Sequence, residues 1–282
     1  MRYMKFLHFT LLAPRSRAFS TSYIPLRRIE VDLRPQLSDL IIAYERDNLE
    51  EDNLLERALG VQDCTSSIND IRRKQQFHDT LGLQAWPSGF VAARIMLDML
   101  PDHRGDFTVL ELGCGTGVPS LAAYKAGANA VATDLDVNIV SRSFNEQSSH
   151  GGNGYKCIEL NLLDEKACEK IISYTRPNLV IAADCLYDAT LANAVGQIMS
   201  VSAGKYGCNI LVADPGRLDG RGRELFLDSF LSDTDFGSRE KYGFEDVDMP
   251  QELLRKSGAS LSWCGVLETK VGIFTWLNSD IK

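Results

Sequence analysis

Between residues 108 and 213, short apolar runs alternate with helix-length segments, and no other feature limits the fold as much. The strand-like runs cover 108–112, 130–133, 155–160, 179–183 and 209–213. Helical stretches fall before and between them, over 89–99, 119–125, 137–147, 166–174 and 191–200. This β-α alternation predicts a doubly wound, mostly parallel α/β sheet with helices on both faces. Two later apolar runs, 260–267 and 271–277, are separated only by Glu268, Thr269 and Lys270. So short a connection predicts a C-terminal antiparallel hairpin at the sheet edge, completing seven strands.

The core domain is expected over residues 81–280. Upstream, residues 30–80 are polar and mixed, with Leu40, Ile41, Tyr44, Leu49, Leu54 and Leu55 as apolar positions. Their spacing predicts one or two helices within 37–59, and so a helical N-terminal extension over 30–80. Residues 1–29 contain no Asp or Glu, but hold Arg2, Lys5, Arg15, Arg17, Arg27 and Arg28. Ser16, Ser20, Thr21 and Ser22 add hydroxyls. That composition predicts a mitochondrial transit peptide and a matrix location; the alternatives are a disordered tail and a cytoplasmic protein. A secretory signal fits less well, because the apolar run 6–13 is short, broken by His8 and followed by Pro14-Arg15.

Composition narrows the partners. The formal net charge is −8, which argues against nucleic acid, since phosphate neutralisation needs a basic surface. No stretch reaches the roughly 20 apolar residues of a membrane span. The seven cysteines and four histidines show no CxxC spacing, so no metal is expected. Unpaired thiols in apolar runs suit a reducing compartment.

The chemistry-bearing residues sit where the predicted strands end. Val109-Leu110-Glu111-Leu112-Gly113-Cys114-Gly115-Thr116-Gly117 reads as a strand running into a glycine turn and then a helix. Gly113, Gly115 and Gly117 let the backbone bend sharply and approach a ligand. Alone, this turn is shared with dinucleotide-binding folds. Asp134 ends the next strand, where a carboxylate can accept both hydroxyls of a ribose. Asn161 follows the third strand, either to read an adenine edge or as a plain turn residue. Asp184 and Tyr187 follow the fourth, at the carboxyl ends that converge on the crevice of such sheets. Asp184 as a cap of the next helix is the alternative there. Trp86-Pro87-Ser88-Gly89 precedes the first core helix. The Trp ring can stack on adenine or cover a cation; otherwise the segment is a hydrophobic staple with Ser88 as N-cap. Asp214 and Arg217 after the fifth strand form a charged pair that either shapes a substrate channel or caps a turn.

The strand carrying Glu111 and its compact Gly-Cys-Gly-Thr-Gly turn resemble motif I of class I S-adenosylmethionine-dependent methyltransferases. Asp184-x-x-Tyr187 resembles the signature of methyltransferase family 16, which is rich in protein-lysine methyltransferases. With Trp86-Pro87-Ser88-Gly89 and Asp214-Pro215-Gly216-Arg217, the chain is most similar to the electron transfer flavoprotein β-subunit lysine methyltransferases, over roughly residues 84–225. The resemblance implies a Rossmann-like methyltransferase fold and S-adenosylmethionine as cofactor. It implies Trp86, Glu111, Gly113, Gly115, Gly117, Asp134, Asn161 and Asp184 around that cofactor. It makes Asp184 and Tyr187 the catalytic residues and puts Asp214 and Arg217 along the substrate channel. The expected partner is a protein with an exposed lysine, with the electron transfer flavoprotein β subunit as candidate. Two other readings keep the fold: a small-molecule N- or O-methyltransferase, since fold does not fix the acceptor, and a non-catalytic mitochondrial assembly factor.

Overall fold

The computed structural model describes residues 26–46, 85–147, 154–216, 220–232, 241–248 and 270–278. The expected run 260–267 and most of the expected 1–29 and 30–80 segments lie outside these residues. From residue 85 the chain runs through α1 (Pro87–Met99), β3 (Thr108–Leu112), α2 (Val118–Lys125), β4 (Asn129–Asp134) and α3 (Asn138–Gln147). It continues through β5 (Tyr155–Glu159), α4 (Glu165–Thr175), β6 (Leu179–Ala183), α5 (Ala189–Tyr206), β7 (Asn209–Asp214) and α6 (Arg221–Ser232). Two further strands, β8 (Glu245–Asp248) and β9 (Lys270–Trp276), complete it.

These strands form one seven-stranded sheet in the order β5-β4-β3-β6-β7-β9-β8. The first five in that order are parallel, whereas β9 pairs antiparallel with both β7 and β8. The expected doubly wound sheet with an antiparallel C-terminal edge is therefore observed. Among the described residues, β9 lies between β7 and β8, and β8 forms the sheet edge.

Period-two patterning explains the two layers. Val109, Leu179, Ile181, Leu211 and Ala213 point to one core, beneath α1, α2 and α3. Their neighbours Leu110, Val180, Ala182, Ile210 and Val212 point to the other, beneath α4, α5 and α6. Successive side chains of a strand face opposite sides, so near-continuous apolar runs mark strands buried on both faces. The second core contains an aromatic cluster of Phe226, Phe230, Phe244 and Phe274, with Phe274 5.1 Å from both α6 rings and Phe244 5.7 Å from Phe226.

The N-terminal region corrects two expectations. Instead of a helix over 37–46, the chain forms an antiparallel pair, β1 (Leu26–Val31) and β2 (Ile41–Arg46), with Val31 opposite Ile41. The spacing of Leu40, Ile41 and Tyr44 suits a helix better than a strand. Burial of Ile29, Val31, Ile41 and Ala43 on one side selects the strand. Residues 26–29, expected within the leader segment, belong to β1. The pair packs on α2 and α3: Arg28 Nε donates to Glu146 Oε1 at 2.9 Å, the Tyr44 hydroxyl also reaches Glu146, and Gln147 Nε2 donates to the Ile42 carbonyl at 3.0 Å. Buried Glu45 accepts from Ala85 N at 3.2 Å, so β2 also anchors the approach to α1. Among the described residues, no helix is long and apolar enough to cross a membrane.

Candidate active site

The chain turns at β3: β4 and β5 lie on one side of it, β6 and β7 on the other. In open α/β sheets, such a reversal of strand order opens a crevice at the strand carboxyl ends. Register puts Leu112 beside Thr133 and Ala182, and Ala183 beside Ala213. The glycine turn, Asp134, Asp184 and Asp214 therefore share one edge.

Gly113, Gly115 and Gly117 all adopt left-handed backbone, with φ of 61°, 51° and 75°. Space excludes a side chain as well. A Cβ on Gly117 would lie 2.2 Å from Val140 Cγ2, and one on Gly113 would lie 2.8 Å from Cys185 Sγ. Within the turn, Gly115 N donates to Asp134 Oδ2 at 2.7 Å, and Leu135 N donates to Asp134 Oδ1 at 2.7 Å. The bend and the carboxylate meet, as the sequence spacing predicts. Burial raises the Asp134 pKa, against the opposing pull of these amide bonds.

Glu111 lies deeper. It is 2% exposed, and its Oε2 accepts from Ser120 N at 2.8 Å and from the Ser120 hydroxyl. A carboxyl in the first turn of α2 is favourably placed against the helix dipole. Burial pushes it up to about 8. Glu111 thus braces the helix that follows the glycine turn.

Asp184 follows β6 with a φ of 59°, unusual for a residue with a side chain. Its N–H donates to the Ala213 carbonyl at 2.9 Å, tying β6 to β7. Its Oδ2 accepts from the Ser88 hydroxyl at 3.0 Å. Asp184 does not cap α5. That cap is Asp188, whose Oδ1 accepts from Thr190 N at 2.9 Å and Leu191 N at 3.1 Å. Tyr187 is half-buried, and desolvation raises its phenol pKa, so the ring stays neutral. Trp86, not Ser88, is the N-cap residue of α1, and it provides no side-chain cap bond. Pro87 takes the first helical position, which costs no hydrogen bond there. Ser88 sits inside the first turn.

Asp214 is 2% exposed, and its partner is Arg223 of α6, which the sequence did not suggest. Arg223 Nε donates to Asp214 Oδ2 at 2.9 Å, and Nη2 donates to the Asp214 carbonyl at 2.6 Å. Nη1 reaches Asp246 Oδ1 at 2.9 Å, and the guanidinium sits 5.3 Å from the Phe244 ring centroid. Gly272 of β9 makes room, since a Cβ there would lie 2.3 Å from Arg223 Cζ. Asp214 Oδ1 is buried without a hydrogen-bond partner. Burial and the charge of Asp184 raise the Asp214 pKa, and Arg223 counters them. Arg217, the expected partner, lies outside the described residues. Asn161 is exposed, and its Oδ1 accepts from Leu163 N at 3.0 Å, the geometry of a side-chain-closed turn. Among the described residues, no group of three or more His, Cys, Asp or Glu is placed to hold a metal.

A family model described as lysine methyltransferase, methyltransferase family 16, matches residues 66–224. The chain belongs to this lysine methyltransferase family. It is a family of S-adenosylmethionine-dependent methyltransferases, and the fold described above is the Rossmann-like fold of such an enzyme. The electron transfer flavoprotein β-subunit lysine methyltransferase of Xenopus laevis is 34% identical over 136 residues, 47% of this chain and 51% of that protein. Its Homo sapiens counterpart is 29% identical over 134 residues, 47% and 48% of the two chains. The chain thus spans about half the length of these relatives. A solved magnesium protoporphyrin IX methyltransferase from Synechocystis PCC 6803 with bound S-adenosylmethionine aligns over 81% of this chain and 91% of its own, at 14% identity and a TM-score of 0.40.

The residues present fit the family's cofactor. Asp134 is a desolvated carboxylate locked against the glycine turn, suited to a sugar diol. The turn brings backbone polar groups to the same edge, suited to an ammonium and a carboxylate.

Proposed function

We propose that this protein transfers a methyl group from S-adenosylmethionine to the side-chain amine of a lysine in a mitochondrial protein. The electron transfer flavoprotein β subunit is the candidate substrate. Asp134, the glycine turn and Trp86 hold the cofactor, and Asp184 and Tyr187 serve the acceptor. The observation that carries this reading is Asp184 itself. A buried carboxylate stands in left-handed backbone at the tip of β6, with the carboxylate of Asp214 at the tip of the adjacent strand. Two desolvated acids side by side favour a cation between or beside them, and a lysine arrives as one.

S-adenosylmethionine supplies an activated methyl on a positively charged sulfur. A free lysine titrates near 10.4, so about one in a thousand is uncharged at neutral pH. Asp184 orients the incoming ammonium, and the neutral Tyr187 ring offers it a hydroxyl or a π face. The proton leaves to water, and the freed lone pair is aligned for in-line attack. Positioning and exclusion of water account for the acceleration.

The Arg-rich, acid-free leader supports the location, and the relatives' names support the candidate substrate. The test is incubation with labelled cofactor and mitochondrial extract, followed by mass spectrometry of the labelled band. Methyl-lysine on a matrix protein, lost on knockout, is the expected result. Label found only in a protein-free filtrate would replace it with the small-molecule reading. Full rescue of a knockout by Gly115→Arg would replace it with a non-catalytic role.

A further inference from the structure

We propose that Ser88 is a positioning residue for Asp184, setting the direction of its carboxylate toward the acceptor amine. The inference rests on the reading of Asp184 given above and extends it to a residue on another element. Ser88 and Asp184 are 96 positions apart, yet the Ser88 hydroxyl donates to Asp184 Oδ2 at 3.0 Å. Ser88 is 0% exposed and Asp184 is 7% exposed.

Three physical points give the bond a purpose. A serine inside a helix is a poorer choice than alanine, and burying its hydroxyl without a partner is costly. Here the hydroxyl is not spent on capping, because the N-cap of α1 is Trp86. It donates to Asp184 instead. Next, the Asp184 backbone is already fixed by its left-handed φ and by the bond from its N–H to the Ala213 carbonyl. What remains to be set is the side-chain direction, and Ser88 sets it. Finally, α1 is a rigid support. Gly89, Phe90, Ala92, Ala93 and Met96 are buried, and the helix packs over β6 and β7. A reactive group is held best by neighbours that cannot themselves move. The same helix begins at Trp86, so one hydrogen bond joins the proposed cofactor side of the crevice to the proposed acceptor side.

The test is a double-mutant cycle of Ser88→Ala, Asp184→Asn and the pair. Initial labelling rates are read with tritiated S-adenosylmethionine and mitochondrial protein extract, at graded cofactor concentration. Cofactor affinity by calorimetry and the melting temperature establish that each variant is folded. Ser88→Ala should lower the rate at saturating cofactor by about tenfold, the scale of a modest misplacement, and leave the cofactor KM unchanged. In the Asp184→Asn background it should cause no further loss. A wild-type rate for Ser88→Ala, or an equal loss in both backgrounds, overturns the positioning role while leaving Asp184 at the acceptor. Full activity of Asp184→Asn, or no protein labelling by the wild type, overturns the underlying reading.

Discussion

Arg223 grips Asp214 at two points, through Oδ2 at 2.9 Å and through the main-chain carbonyl at 2.6 Å. One guanidinium therefore sets both the side chain and the backbone at the end of β7. It carries the link on to Asp246 of β8. Removing one partner of a buried pair leaves the other charge unpaired. Arg223→Ala should accordingly cost about 3 kcal/mol of stability, read by urea denaturation. Arg223→Lys should recover only part of this, because an ammonium lacks the planar fork that spans two acceptors. A loss under about 1 kcal/mol in the alanine variant would contradict the assigned role.

Asp134 and Asp184 should separate binding from turnover. Asp134→Ala is expected to weaken cofactor affinity by about 2 kcal/mol, the scale of hydrogen bonds to a charged group. Asp184→Ala should bind the cofactor as the wild type does, yet transfer methyl groups far more slowly. Calorimetric titration of both variants decides the matter. Equal cofactor affinity in wild type and Asp134→Ala would remove the ribose assignment.

The glycine turn should resist even one methyl group. Gly117→Ala meets left-handed backbone and a Cβ contact 2.2 Å from Val140 Cγ2. Gly127 also has positive φ, at 93°, but nothing lies within 4 Å of its added Cβ. Gly127→Ala should cost about 1 kcal/mol from backbone strain alone. Gly117→Ala should cost about 1–3 kcal/mol more through overpacking. Denaturant midpoints of the two variants give the comparison, and equal losses would refute it.

Glu111 should leave a mark on the pH dependence of stability. Its carboxyl titrates at about 8 in the folded protein, against an ordinary value of 4.5. Between those values the folded state holds a proton that the unfolded state has lost. Glu111 therefore makes stability fall as pH rises from about 4.5 to about 8, with no further change above. Glu111→Gln should flatten that descent in urea titrations across the range. An unchanged slope would show that Glu111 is not its source.

The core strands were legible because parallel strands buried on both faces read as unbroken apolar runs. Leu179–Ala183 is one such run. Asp134 was legible because its distance from the glycine turn reflects one helix and one strand of chain. The β1–β2 pair was not legible. Leu40, Ile41 and Tyr44 follow a helical spacing, whereas in β2 Ile41 and Tyr44 face opposite sides, and packing of the pair on α2 and α3 decides for the strand. Arg223 was not legible either, since an arginine on a helix ordinarily marks a solvated face. Its signal lies at Gly272 on a distant strand, where the missing side chain makes room for the guanidinium. Ser88 reads in sequence as a helix cap, whereas in the fold its hydroxyl crosses to Asp184.

The aromatic cluster of the second core has a practical consequence for anyone shortening this protein. The family match stops at residue 224, three residues beyond the start of α6 and before Phe226, Phe230 and Phe274. A fragment cut to that boundary would break a helix in mid-course and strip the rings from the sheet beneath them. The stretch that the family model matches is thus smaller than the unit that folds, and the chain beyond it completes the interior.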